Sequence, residues 1–198
     1  RSLVWWARST GYLLDSNGNE REQAKYCYGP STWAENIVEQ AEKDGLRLSY
    51  HTPYRLNIHR DEFCKLAWQT IQTVNPNINL PELAQPFSDC DEDIVRQIAA
   101  LGIVTGYEDG TFQPTRELSR QEAAVILQRL YTVLYGKIEA SPTLYADNGS
   151  IGVWAKDSVY AMRQTGIMQG VGATRFDPKN GYTCEQSIIT MLRMTQKA

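Results

Sequence analysis

The stretch Gly102-Ile103-Val104-Thr105-Gly106-Tyr107-Glu108-Asp109-Gly110-Thr111-Phe112-Gln113-Pro114 returns later in the same chain. Its second copy begins at Gly166-Ile167-Met168-Gln169-Gly170, an offset of 64 residues. At that offset Phe112 meets Phe176, Pro114 meets Pro178, and Val95 meets Val159. Shared glycines and prolines fix backbone conformation, so the two copies are read as one structural unit used twice. A weaker copy lies upstream. Trp33-Ala34 precedes Gly45-Leu46 by twelve residues, as Trp154-Ala155 precedes Gly166-Ile167. This first copy lacks the glycine-rich middle, and its connection from Arg47 to Asn57 is shorter.

Each unit reads as helix, loop, helix. Apolar residues recur at spacings of three and four: Ala34, Val38 and Ala41; Ile94 or Val95 with Ile98 and Leu101; Ala155, Val159 and Met162. Such spacing puts one buried stripe on each helix. Gly45, Gly102 and Gly166 follow these stripes, where a left-handed C-cap is expected. Asp109-Gly110 marks a turn, and Phe112 is expected to fold back onto the core. The second helix of the middle unit carries Ala123, Ile126 or Leu127, Leu130, and Val133 or Leu134 on one face. Residues 75–86 and 136–142 read as connections.

A related pentapeptide opens each second helix: Ile58-His59-Arg60-Asp61-Glu62, Leu118-Ser119-Arg120-Gln121-Glu122, and Tyr182-Thr183-Cys184-Glu185-Gln186. Ser119 with Glu122, and Thr183 with Gln186, have the spacing of a capping box; His59 with Glu62 is a poorer version. Capping does not account for Arg60 and Arg120. A cation in the first turn opposes the helix dipole by up to about 1 kcal/mol. Two readings of these arginines stand. Either guanidinium and outward-pointing helix N–H groups form an anion site, or the arginines are solvated or paired locally with Asp61 or Glu117.

The chain has 198 residues, 42% of them hydrophobic and 22% charged, with a formal net charge of −3. That suffices for one sizeable domain or several small units sharing a core. The balance argues against nucleic acid as a partner, which would call for a basic stripe. No apolar run is long enough to span a membrane. The first residue is Arg1, so a processed or cut chain is expected. Cys27, Cys64, Cys90 and Cys184 contain no CxxC pair, so no metal site is expected, and buried free thiols are favoured over disulfides. Residues 1–30 fit no unit and are read as an N-terminal extension. Asp15-Ser16-Asn17-Gly18-Asn19 is followed by Glu20 and Tyr26 at the sixth and twelfth positions, where a calcium loop needs glycine and an acid, and it reads as a turn. His51 and His59, the only histidines, have no partners that suggest a catalytic triad. Neither catalysis nor a cofactor is expected.

Phe87-Ser88-Asp89, the loop from Gly102 to Pro114, and Leu118-Ser119-Arg120-Gln121-Glu122 together closely resemble an S-layer homology repeat. Tyr145-Ala146-Asp147, Trp154-Ala155, Gly166-Ile167, Gly170, Phe176 and Pro178 resemble the same repeat. The resemblance covers residues 31–198: units at 31–75, 87–136 and 145–198, the first degenerate and the third altered in its motif. It implies a mostly helical fold, with three helix-loop-helix repeats packed as a pseudo-threefold prism. It also implies ligand grooves between repeats for an acidic secondary cell-wall polysaccharide, often pyruvylated. The protein would then be extracellular, at a bacterial cell wall or surface layer, with self-association in that layer as a further option. Carried over residue by residue, ligand binding falls to Arg60 and Arg120, Trp33 and Trp154, Asp89 and Asp147, and Gly106 and Gly170. Arg120, beside the complete glycine loop, is expected to outweigh Arg60. Cys184 replaces the third arginine, Gln186 the glutamate, and Cys90 a tryptophan, so one groove is expected to be lost. The alternative is a degenerate scaffold for protein–protein interaction.

Overall fold

The computed structural model describes residues 29–49, 53–142, 145–172 and 174–197. Six α-helices are found among them: α1 (Glu35–Lys43), α2 (Arg60–Val74), α3 (Asp93–Ala100), α4 (Arg120–Tyr135), α5 (Lys156–Gln164) and α6 (Cys184–Thr195). Among the described residues, β-structure is confined to isolated bridges. Cys27 and the turn at residues 15–19 lie outside the described residues.

The apolar stripes fall where the spacing puts them. Ala34, Val38, Ala41, Val95, Ile98, Ala155, Val159 and Met162 are buried, while Ile94 and Leu101 are only partly covered. Gly45, Gly102 and Gly166 close the first helices with φ of +90°, +72° and +74°, the left-handed region where a side chain would be strained. Both capping boxes form, at Ser119–Glu122 and at Thr183–Gln186. His59 makes no side-chain cap. The Glu62 carboxylate accepts instead from the N–H and hydroxyl of Ser49.

Helix pairing is cyclic. The first helix of each unit packs on the second helix of the unit before it: α3 on α2, α5 on α4, and α1 on α6. The last contact closes the ring. At the axis, three backbone hydrogen bonds run in the same sense. Ile58 N–H donates to Tyr182 O (2.8 Å), Leu118 N–H to Ile58 O (3.1 Å), and Tyr182 N–H to Leu118 O (2.9 Å). Tyr182, Ile58 and Leu118 are buried around this ring.

The starts of the second helices repeat the pattern in identical register. Arg60 and Asp61 N–H donate to Arg116 and Pro114 carbonyls, Arg120 and Gln121 N–H to Asn180 and Pro178, and Cys184 and Glu185 N–H to Leu56 and Tyr54. Every helix start needs partners for its free N–H groups, and here the following unit supplies them. The first unit takes part on equal terms, although its loop has lost the glycines. These N–H groups therefore do not point outward to an anion; neighbouring loops already occupy them.

Candidate functional site

Arg60 and Arg120 point inward, at 9% and 7% exposure. A buried guanidinium must have its donors satisfied. Arg60 Nε donates to Phe112 O and Nη2 to Thr105 O, both at 2.9 Å. The rings of Phe112 and Tyr107 stand 4.5 and 5.0 Å from its guanidinium carbon, within cation–π range. Arg120 repeats this one unit on. Its Nε donates to Phe176 O (2.8 Å), Nη2 to Gln169 O, and Nη1 to Gln186 Oε1 (3.4 Å), with Phe176 and Tyr182 alongside. Neither solvation nor pairing with Asp61 or Glu117 describes them. Each arginine staples its own unit to the loop of the next, so the complete Gly106 loop belongs with Arg60. The expectation that Arg120 sits beside that loop is corrected accordingly.

All three units meet in a cavity of about 280 Å³. The first contributes Arg60. The second contributes the loop at Thr105, Gly106 and Tyr107, and the α4 face bearing Glu122 and Arg129. The third contributes Trp154. Trp154 is 60% exposed, which leaves a ring face open to a ligand. Trp33 holds the equivalent position before α1 and is exposed to the same degree.

Gly106 is required by close approach. A Cβ there would lie 2.6 Å from the Phe87 ring and 2.9 Å from Thr111 O. At Gly170 it would lie 2.6 Å from Arg175 O. Gly106 thereby brings backbone into the lining of the cavity, and Gly170 holds the matching loop position one unit on.

Asp89 and Asp147 sit behind the groove rather than in its lining. Asp89 accepts from Phe112 and Gln113 N–H (2.7 and 2.8 Å), and Asp147 from Phe176 and Asp177 N–H (2.9 and 2.8 Å). Gln113 and Asp177 have φ of +57° and +61°, an uncommon conformation that each carboxylate clamps in place. The Phe112 N–H bond, with the Gln113 bond, holds the Asp89 carboxyl below its ordinary 3.8. Burial would raise Asp147, but the Phe176 and Asp177 bonds outweigh it and the net direction is down. A depressed folded-state pKa stabilises the fold above the unfolded value, and that stability is lost as pH falls. Thermal melts should therefore show the clamp's contribution intact above about pH 4 and fading below it. Asp89→Asn should melt lower at neutral pH and lose less on acidification; an unchanged pH profile would contradict the clamp.

The third motif position differs in kind. Cys184 is buried, and burial pushes its thiol up to about 12. A helix-start position was compatible with a lowered value, but desolvation wins and the thiol stays neutral. Cys64, also buried, and Cys90, half-buried, are free thiols too. Lys65, on the same α2 turns as Glu62, is surrounded by Asp61, Glu62 and Glu92 at 3.6 to 4.0 Å. Lys65 is thus paired and does not stand in for the missing arginine.

Two residues of the main groove, Tyr107 and Arg129, were not singled out from the sequence. Tyr107 receives Arg116 Nη1 on its hydroxyl (2.8 Å), and Arg116 Nη2 holds Glu122 (2.8 Å). Glu122 thus caps its helix and is also neutralised at the groove edge. Arg129 was detectable, because Glu122, Val125, Ile126 and Arg129 follow helical spacing on one face.

The sequence profile of the S-layer homology domain matches residues 88–124 and 149–181. These two segments are S-layer homology repeats. An endoglucanase of Bacillus sp. (strain KSM-635) is 32% identical over 107 residues, covering 52% of this chain and 11% of that protein. The S-layer protein of Bacillus thuringiensis subsp. finitimus is 32% identical over 100 residues, covering 50% and 12%. Outer membrane protein SlpA of Deinococcus radiodurans is 44% identical over 39 residues, covering 20% and 3%. The chain thus matches about a tenth or less of these relatives' length. The S-layer homology segments, shared with these surface proteins, place the chain at the cell surface or wall.

Proposed function

We propose that this S-layer homology chain is a non-catalytic module that anchors a surface protein by binding an acidic cell-wall polysaccharide. Its principal site is the Arg60 groove. The carrying observation is the meeting of three units there: a guanidinium with its Nη1 left over from the two carbonyl bonds, a glycine-exposed backbone, and an open Trp154 face. Arginine suits a carboxylate, and an aromatic face suits a sugar ring. A pyruvylated amino sugar supplies both in one residue.

Residues 31–75, 87–136 and 145–198 are the three repeats on this reading, with the first counted on its shared hydrogen-bond register. The groove at Arg120, with Gly170 and Trp33, is a second and weaker site. The groove at Cys184 is lost, because a neutral buried thiol cannot match an anion.

Sedimentation with purified bacterial cell walls tests the proposal. Co-sedimentation should require the wall polysaccharide and should be abolished by extracting it. Binding that survives extraction, or no binding at all, would overturn the glycan reading and favour a scaffold for protein partners.

A further inference from the structure

We infer that Arg129 forms a second anion subsite, so that the groove takes an acidic glycan of at least two sugar residues with a second acidic group over Arg129. This rests on the glycan reading of the same groove and extends it.

The argument begins with the three equivalent positions on the second helices: Gln69 on α2, Arg129 on α4 and Arg193 on α6. In two units this side chain is used within the protein. Gln69 Nε2 donates to Arg47 O (2.9 Å), and its Oε1 accepts from Arg47 N–H (2.7 Å). Arg193 Nη1 donates to Ile167 O (3.1 Å). Both tie down the chain just after the first helix. Arg129 makes no such bond among the described residues. It lines the cavity instead, half-buried, with no carboxylate partner among them. A half-buried cation has lost part of its hydration, so a matching anion gains more there than at a solvated surface.

The spacing sets the ligand's length. Arg60 lies toward the Glu122 end of the cavity, on the ring of Tyr107, whose hydroxyl meets the Arg116 that holds Glu122. Arg129 is two helical turns further along α4, about 10 Å at 1.5 Å per residue. One carboxylate can pair with one of these cations, and two linked residues, each with an acidic group, supply one for each. Glu122 lies at the Arg60 end, and Arg116 already neutralises it. The carboxylates along the groove therefore do not cancel its two cations.

The test uses two defined probes in calorimetric titrations of the full chain: the methyl glycoside of pyruvylated N-acetylmannosamine, and the same sugar linked to a uronic acid. The wild type should bind the diacidic disaccharide about tenfold more tightly than the monosaccharide. Arg129→Gln should lower the disaccharide affinity by more than the monosaccharide affinity and so remove most of that gain, while Arg129→Lys should keep part of it. Unchanged melting curves confirm that both variants fold. Equal wild-type affinity for both probes, or a disaccharide gain that persists in Arg129→Gln, overturns the second subsite alone. Failure of the wild type to bind either probe overturns the glycan reading together with it.

Discussion

Arg60→Ala should lower the melting temperature by about 6 to 12 °C and weaken binding to the wall polysaccharide by about 10- to 100-fold. Both effects have one origin. The side chain is buried, and it satisfies the Thr105 and Phe112 carbonyls while sitting between two aromatic rings. Truncation leaves two carbonyls without their charged donor and opens a void between units, at a cost of about 3 kcal/mol. The binding loss is that of one charge-assisted contact. Arg60→Lys separates the two effects. It keeps the charge but not the fork, so it should recover some binding without recovering both carbonyl bonds. Arg120→Ala should destabilise to a similar extent and weaken binding less. A melt that does not change on Arg60→Ala would contradict the stapling role.

Phe112→Ala should destabilise by about 3 to 5 kcal/mol, read as the midpoint shift in a denaturant titration. The ring is fully buried, 5.2 Å from Phe87, and it supports the Arg60 guanidinium on one face. Its backbone N–H is held by Asp89 and its carbonyl by Arg60. Removing the ring creates a cavity at the point where the loop is fixed, so wall binding should fall with stability. A loss below about 1 kcal/mol would mean that the loop is held by its backbone bonds alone.

The helical plan was legible because its causes are local. Stripes at three and four, a left-handed glycine after each first helix, and hydroxyl caps before two second helices all act within a few residues. Gly106 and Trp154 were legible only through the family resemblance; the structure then gives Gly106 a physical reason in the Phe87 ring. Relations between units were not legible. No local pattern shows that Arg60 serves the loop of the next unit, or that the helix starts spend their N–H groups on neighbouring carbonyls. Those facts depend on how units close around an axis. The same holds for Asp89, whose position matched the family but whose carboxylate clamps a strained loop. Cys184 shows the limit from the other side. A first-turn position allowed a lowered thiol pKa, and only tertiary burial decided the opposite direction.

A crystal structure with pyruvylated N-acetylmannosamine soaked into the chain tests the account most directly. The ketal carboxylate should lie on Arg60 and the sugar ring against Trp154, with backbone contacts from the Gly106 loop and an empty position beside Cys184. Best occupancy against Cys184, or on a surface away from every motif arginine, would contradict it.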